Sequence, residues 1–194
     1  MNRITLSEYQ YNLPEEYIAK FPVLQRDQSK LLVYNKGKIA ETVFSNLPDI
    51  IESSSFLVFN DTKVIPARLL FNSATGAAIE ILLLEPKEKF QPVSVAMETT
   101  GEVEWNCMMG GLKKWKDGVM LQKKILIEDV KINLYASLIS RKEQIVKFTW
   151  NNKITFSEIL SLVGHIPIPP YLNREYTEQD KTVYQTVFAR QEGA

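Results

Sequence analysis

Apolar and polar residues alternate in short runs along the first third of this chain, which is typical of a mixed α/β fold. Runs at 30–35 and 38–44 are separated by Lys36 and Gly37, and this arrangement predicts a β-hairpin. An unbroken apolar run at 56–59 ends in a polar cluster. Because both faces of such a run are apolar, it predicts a buried strand that carries polar groups to its end.

The middle of the chain changes to short β-rich runs separated by turns. Six strands are predicted there, at 77–84, 93–98, 103–108, 119–122, 131–139 and 144–150. That spacing indicates a small β-barrel or sandwich.

Helical patterns return after residue 150. Thr155 and Glu158 form a capping-box pattern ahead of an apolar helical stripe, and Gly164 can end that helix. Thr177 and Asp180 offer a similar start for a helix to about residue 189. The simplest fold class is therefore mixed α/β (α+β). We expect a discontinuous α/β domain, made of residues 1–68 and 151–194, that is interrupted by an inserted small β-barrel domain at 69–150.

Composition narrows the possible functions. The chain has 194 residues, of which 45% are hydrophobic, so it can bury a sizeable core. Lys plus Arg equals Asp plus Glu at 23 each, so the chain has no net charge that would attract nucleic acid. Any RNA contact must therefore come from a locally basic surface. A lone Cys107 and a lone His165 argue against a disulfide and against histidine or cysteine metal clusters. No apolar span is long enough for a bilayer, so we expect a cytoplasmic protein without a membrane partner.

One segment is locally basic. Residues 105–124 hold five lysines against a single acid, Asp117. The lysines Lys113, Lys114 and Lys116 lie beside Trp115, and cations next to an aromatic ring suit single-stranded RNA. The alternative is a solvated lysine-rich hairpin whose tryptophans pack inward.

Candidate chemistry begins at the polar cluster after residue 59. Asn60, Asp61 and Thr62 have side chains that turn and cap a backbone, and Lys63 and Arg68 add two cations. The alternative is a structural corner in which these side chains satisfy their own backbone.

Further candidates lie near the second apolar stripe. His165 precedes a proline-rich loop that can hold an imidazole for ligand contact or proton transfer, although a helix C-terminus also simply stabilises a histidine. Tyr171 and Arg174 can bracket a base; alternatively, Tyr171 packs on prolines and Arg174 pairs with a neighbouring glutamate. Tyr184 and Gln185 fall at helical spacing with Asp180, which ordinary amphipathicity also explains.

Five sequence motifs occur in the order found in one enzyme family. They are RDQSKLLV at 26–33, FLVFNDTKVIPAR at 56–68, TGAAIEIL at 75–82, GHIPIPPY at 164–171 and YQTVF at 184–188. Through these motifs the chain resembles the S-adenosylmethionine:tRNA ribosyltransferase-isomerase family of queuosine biosynthesis. Within the second motif, Lys63 stands where the family usually has arginine; lysine keeps the positive charge but cannot make a bidentate contact.

The resemblance implies the reaction and its substrates. The ribosyl part of S-adenosylmethionine, the co-substrate, moves to 7-aminomethyl-7-deazaguanine at the wobble position in the tRNA anticodon loop, giving epoxyqueuosine, and no metal is required. We take His165, Asp61 and Lys63 as catalytic candidates. Expected binding residues are Asn60, Thr62, Arg68, Pro169, Tyr171, Tyr184, Gln185 and Thr186. Expected RNA-binding residues are Lys113, Lys114, Lys116, Trp115 and Arg174.

In the family that the chain resembles, the position of Ala194 is followed by a further sequence motif and then by a long second half. We therefore expect this chain to be the N-terminal portion of a monomeric enzyme, with the C-terminal half as its partner and no turnover alone. A second hypothesis is a non-catalytic RNA-binding or assembly module that uses the β insert.

Overall fold

The computed structural model describes residues 5–88, 92–127 and 130–192. The chain separates into two compact units. The first unit comprises Met1–Val58 and Pro169–Glu175, and the second comprises Phe59–Ile168 and Tyr176–Ala194. The second unit thus unites residues 59–68 with residues 164–168 and 176–188. The division into a discontinuous domain and an insert at 69–150 stays a prediction.

The first unit contains a β-hairpin and several short helical turns. Strands β1 (Lys30–Asn35) and β2 (Lys38–Val43) pair antiparallel. Lys36 and Gly37 both have positive φ, 48° and 85°, which suits a tight two-residue turn. The predicted hairpin is therefore confirmed. The short helix α1 (Leu47–Ile50) and 3₁₀ turns at Leu6–Tyr9, Glu15–Tyr17, Arg26–Gln28, Phe44–Asn46 and Pro170–Leu172 complete the described part of this unit.

The apolar run at 56–59 is not a buried strand. Phe56 is 91% exposed and Val58 is 84% exposed, and no strand among the described residues pairs with this run. An extended segment becomes part of a sheet only when a neighbouring strand forms hydrogen bonds with its N–H and C=O groups. Strand β3 (Thr62–Lys63) begins later and pairs in parallel with β11 (Gln191–Glu192).

The second unit is built on a curled, seven-stranded antiparallel sheet with the strand order β10-β4-β5-β6-β9-β8-β7. Its strands are β4 (Arg68–Asn72), β5 (Ala78–Pro86), β6 (Glu102–Gly110), β7 (Leu121–Ile127), β8 (Val130–Ser140), β9 (Ile145–Trp150) and β10 (Gly164–His165). The curl brings β7 back towards β4, where Lys123 Nζ donates to the backbone oxygen of Leu70 at 3.2 Å. A separate inserted barrel domain stays a prediction.

The strand predicted at 93–98 is wrong, because these residues form helix α2 (Val93–Glu98). Pro92 precedes the helix, and Val93, Ala96 and Met97 fall on one helical face that packs into the core. The β-branched residues Val93 and Val95 favoured a strand, and this tertiary packing overrides that preference.

The core lies between the inner face of the sheet and helix α3 (Phe156–Val163). Phe156 is fully buried, and its ring centroid lies 5.8 Å from Trp105, 5.5 Å from Phe148 and 5.7 Å from Trp150. The lone cysteine, Cys107, lies in β6 within the same core and is 2% exposed. This cluster fixes α3 against the sheet.

The predicted helix to residue 189 is wrong in length. Helix α4 covers only Asp180–Val183 and buries only the side chain of Asp180, which is 1% exposed. One turn that buries no apolar residue gains too little from packing to extend. No helix in the described ranges is long and apolar enough to cross a membrane.

Candidate functional site

The second unit contains a cleft of about 250 Å³. Its lining comes from four places: β3 with the segment after it, helix α2, helix α3 with the residue just after β10, and helix α4 with the second residue beyond it. The lining residues are Lys63, Val64, Ile65, Pro66, Met97, Ser157, Leu160, Ser161, Ile166, Lys181 and Gln185. Two predicted site residues, Lys63 and Gln185, are therefore brought together although they lie far apart in sequence.

The Gln185 side chain joins two walls of the cleft. Its Oε1 accepts from the backbone N–H of Val64 at 2.8 Å, and its Nε2 donates to the backbone oxygen of Val64 at 2.8 Å. A primary amide bonded in this way replaces a neighbouring strand. Gln185 thus has a positioning role in this structure, while its predicted contact with substrate stays a prediction.

Helix α3 supplies Ser157, Leu160 and Ser161 to the cleft, and both ends of this helix are fixed. Thr155 and Glu158 form the predicted capping box at its start. At its end, a Cβ added to Gly164 would lie 2.1 Å from the backbone oxygen of Pro66. Only glycine permits this close approach, so Gly164 sets the distance between α3 and the segment after β3.

His165 lies on β10, directly opposite Arg68 of β4, so both side chains leave the same face of the sheet. The ring of Tyr176 meets the imidazole edge-on, with centroids 5.0 Å apart. Burial lowers the pKa of His165, and the cations of Lys123 and Arg68 lower it further. The imidazole is therefore neutral at physiological pH and can accept a proton.

Arg68 forms a two-point ion pair with Glu80 of β5. Its Nε lies 2.7 Å from Oε1 of Glu80, and its NH2 donates to Oε2 at 3.0 Å. Glu80 was not predicted as a site residue, although its place in an alternating strand opposite β4 was a usable signal. The pair orients the guanidinium beside His165.

The polar turn before the cleft satisfies much of its own backbone. Asn60 Oδ1 accepts from the N–H of Thr62 at 2.9 Å, as the structural alternative predicted. The backbone oxygen of Asp61 accepts from the N–H of Arg190 at 2.7 Å, and the Asp61 side chain is exposed. Thr186 Oγ1 accepts from the N–H of Phe188 at 3.3 Å. Tyr184 is half-buried.

The predicted site residues of the proline-rich loop, Pro169, Tyr171 and Arg174, belong to the first unit. Pro169 is half-buried and Tyr171 is 65% exposed. Arg174 Nε donates to the backbone oxygen of Lys20 at 2.7 Å, and NH1 donates to the backbone oxygen of Glu175 at 2.9 Å. The alternative, an ion pair with a neighbouring glutamate, stays a prediction. Its guanidinium also lies 4.4 Å from the ring centroid of Phe21. Roles for this loop in substrate binding stay predictions.

The basic hairpin presents cations without a stacking surface. Lys113, Lys114 and Lys116 are exposed, but Trp115 is 1% exposed and its Nε1 donates to the backbone oxygen of Val119 at 2.7 Å. The predicted stacking of RNA bases on Trp115 is therefore wrong, because its ring faces the core. The lysines stay candidate RNA contacts. Arg141, which was not predicted, braces the hairpin through Asp117 at 2.7 Å.

Metal ligands do not cluster in the described ranges, where no group of three or more His, Cys, Asp or Glu residues could hold a metal ion.

Comparison with known proteins gives consistent matches. The chain is 36% identical to S-adenosylmethionine:tRNA ribosyltransferase-isomerase of Aquifex aeolicus, over 97% of the chain and 51% of that protein. It is 36% identical to the protein of the same name in Trichlorobacter lovleyi, over 97% of the chain and 50% of that protein. A crystal structure of S-adenosylmethionine tRNA ribosyltransferase from Thermotoga maritima is 32% identical, covering 74% of this chain and 44% of that one, with a TM-score of 0.28.

The chain spans about half the length of the curated relatives it matches. Its sequence also matches the family described as Queuosine biosynthesis protein over residues 6–194. Because that match covers nearly the whole chain, this protein belongs to the queuosine biosynthesis protein family.

Proposed function

We propose that this chain forms the N-terminal half of an S-adenosylmethionine:tRNA ribosyltransferase-isomerase and that the longer protein carries the activity. The observation that supports this proposal is the family match over residues 6–194, together with relatives of that name that cover 97% of the chain. S-adenosylmethionine and tRNA are the proposed substrates. Because tRNA is the proposed substrate, we expect the protein to act in the cytoplasm. We also expect it to be a monomer.

In the proposed reaction, the ribosyl part of S-adenosylmethionine moves to the aminomethyl group of 7-aminomethyl-7-deazaguanine in the tRNA anticodon loop. Adenine and methionine leave, and the sugar becomes an epoxycyclopentanediol. A base must remove an acidic hydrogen beside the sulfonium, and hydrogen-bond donors must stabilise adenine as it departs.

We assign the proton acceptor to His165, because it lies opposite Arg68 on paired strands and an imidazole can accept a proton there; burial lowers its pKa. Arg68, which is oriented by Glu80, lies opposite His165 and would stabilise negative charge as it develops. Lys63 lines the cleft and is proposed as a substrate contact. Asp61 has an exposed carboxylate and is the alternative proton acceptor.

Adenine release tests this proposal directly. The chain would be assayed with S-adenosylmethionine and precursor tRNA, alone and joined to the half of the Aquifex aeolicus protein that it does not match. We expect release only by the joined protein, with a loss of at least tenfold in Lys63→Ala and in Arg68→Ala. Lys142→Ala, which removes an exposed lysine outside the cleft and outside the candidate RNA contacts, is the matched control.

Two outcomes would contradict the proposal in different ways. Adenine release by the 194-residue chain alone would refute the requirement for a second half. A joined protein that neither binds S-adenosylmethionine nor releases adenine would refute the assigned reaction. In that second case, salt-sensitive RNA binding that is lost on changing Lys113, Lys114 and Lys116 would favour the RNA-binding module instead.

A further inference from the structure

The cleft in the second unit has an asymmetric charge. Lys63 and Lys181 are its only ionisable lining residues in the part of the chain that the structure describes, so two cations face no lining carboxylate. Apolar side chains form most of the remaining wall, including Met97, Leu160 and Ile166. Two ammonium groups beside an apolar surface favour a ligand that carries an anion on a short apolar chain.

Within the described ranges, neither lysine has a strong ion-pair partner. Lys181 Nζ pairs with Glu178 at 2.9 Å, but the Glu178 side chain is 78% exposed. An ion pair this exposed contributes little, so an incoming anion can compete for the ammonium group. The residues around Lys63 are held by the parallel pairing of β3 with β11.

The walls of the cleft are fixed before any ligand binds. The Gln185 amide joins α4 to Val64 through two hydrogen bonds, and Gly164 holds α3 against Pro66. A site whose walls are already ordered loses little conformational entropy when it binds a ligand. These contacts indicate a preformed ligand-binding site rather than an incidental groove on the surface.

We infer that the Lys63–Lys181 cleft binds the carboxylate end of the methionyl group of S-adenosylmethionine. This inference rests on the proposed function. The volume of about 250 Å³ suits part of that molecule rather than all of it. The α-carboxylate would contact the two lysines, and the alkyl chain would pack on the apolar wall. The α-ammonium and the sulfonium, both cations, would point away from the lysines.

A phosphate of tRNA is another anion that two lysines bind. We favour the carboxylate because a phosphate carries no alkyl chain that could pack on the apolar wall. A phosphate also stays strongly hydrated, and burying it beside apolar side chains is unfavourable. Met97 and Leu160 are positioned to contact an alkyl chain beside the anion.

The experiment compares S-adenosylmethionine with its decarboxylated form, which lacks only the carboxylate. Affinities of the joined protein for both compounds would be measured by calorimetry in wild type, Lys63→Gln, Lys181→Gln and the double variant. We expect each single change to weaken S-adenosylmethionine binding about tenfold, which is the effect of losing one charge-assisted hydrogen bond. Decarboxylated S-adenosylmethionine should bind weakly to wild type and equally weakly to the variants.

Controls separate folding from recognition. Lys63→Arg keeps the charge and should keep the preference for the carboxylate, whereas Lys142→Gln, at an exposed lysine outside the cleft, should leave both affinities unchanged. Thermal unfolding of each variant checks that the second unit is intact.

Four results would overturn the inference. Equal wild-type affinity for the two compounds would exclude a carboxylate contact. If the lysine variants instead lost affinity for an anticodon stem-loop RNA, the cleft would be a phosphate site. Unchanged S-adenosylmethionine affinity in the double variant, with adenine still released, would refute the inference and leave the proposed function standing. A joined protein that binds no S-adenosylmethionine would refute the proposed function, and the inference with it.

Discussion

Two segments of this chain begin with a threonine followed three residues later by an acid, and they fold differently. Thr155 to Glu158 opens helix α3, which runs for eight residues. Thr177 to Asp180 leads into helix α4, which starts at Asp180 and runs for four. Both acids accept a hydrogen bond from the threonine N–H, at 2.6 Å before α3 and 2.7 Å before α4. Only α3 has the complete capping box, because the Asp180 N–H donates to the backbone oxygen of Thr177 at 2.9 Å and the N-cap of α4 is Gln179, without a side-chain cap.

The difference lies in what each helix buries. Helix α3 places Phe156, Ile159, Leu160 and Val163 in the core, whereas α4 buries only the side chain of Asp180. A cap offsets part of the cost of starting a helix, and packing of an apolar face stabilises its extension. The comparison teaches that a threonine followed three residues later by an acid indicates where a helix can begin, whereas the apolar face that the helix buries determines how far it continues.

The largest expected effect comes from removing the main packing contact of α3. Phe156→Ala should destabilise the second unit by about 4 kcal/mol, because it leaves a cavity among three aromatic rings. Val183→Ala, at a half-buried position of α4, should cost about 1 kcal/mol or less. Urea unfolding followed by tryptophan fluorescence measures both, since Trp105, Trp115 and Trp150 all lie in the second unit. Equal losses in the two variants would contradict the comparison.

A smaller effect is expected at the C-terminal end of α3. Gly164→Ala should cost about 3 kcal/mol, because the new methyl group would overlap the backbone oxygens of Pro66 and Leu160, which cannot move independently. Gly110→Ala is the matched control, since its methyl group would meet only the Glu80 side chain, with Cβ at 3.2 Å. The same unfolding experiment applies. A Gly164→Ala protein as stable as Gly110→Ala would show that α3 is free to shift.

The smallest effect concerns the cap itself and depends on pH. Hydrogen bonds from the Thr155 backbone N–H and, secondarily, from its hydroxyl lower the pKa of Glu158 from 4.5. A lowered pKa in the folded state means that the carboxylate stabilises α3 above pH 4.5 and loses this contribution as the pH falls through the folded value.

Glu158→Gln keeps a capping side chain but cannot ionise. The stability difference between wild type and Glu158→Gln should therefore shrink on acidification, as measured by urea unfolding between pH 7 and about pH 3. Glu143→Gln, at an exposed turn, is the control. A difference that stays constant with pH would show that the Glu158 charge does not contribute to the cap.

Features set by neighbours in sequence were predictable. The Lys36–Gly37 turn and the Thr155 cap both depend on a few adjacent residues, and both are confirmed. Helix α2 and the run at 56–59 were not predictable in the same way, because their conformations depend on partners that the local pattern does not reveal. The Phe56 run has the composition of a buried strand but no strand partner among the residues described.

The candidate site followed the same rule. The sequence indicated Lys63 and Gln185, but their meeting in one cleft depends on the parallel pairing of β3 with β11, which local patterns do not specify. Ser157 and Ser161 were missed, although their spacing of four residues on a predicted helix was a usable signal. The burial of Trp115 could not be predicted from its lysine neighbours, because lysine clusters also occur beside aromatic rings that pack into the core.

The lone cysteine gives this protein a built-in reporter. Burial raises the pKa of Cys107 to about 12, so the thiol is neither ionised nor accessible while β6 stays in the sheet. An alkylating reagent will therefore modify the native chain only when the sheet opens, and the rate of modification will follow that opening without any introduced label. Cys107 lies in the second unit, so alkylation distinguishes opening of this sheet from local fraying of the β1–β2 hairpin.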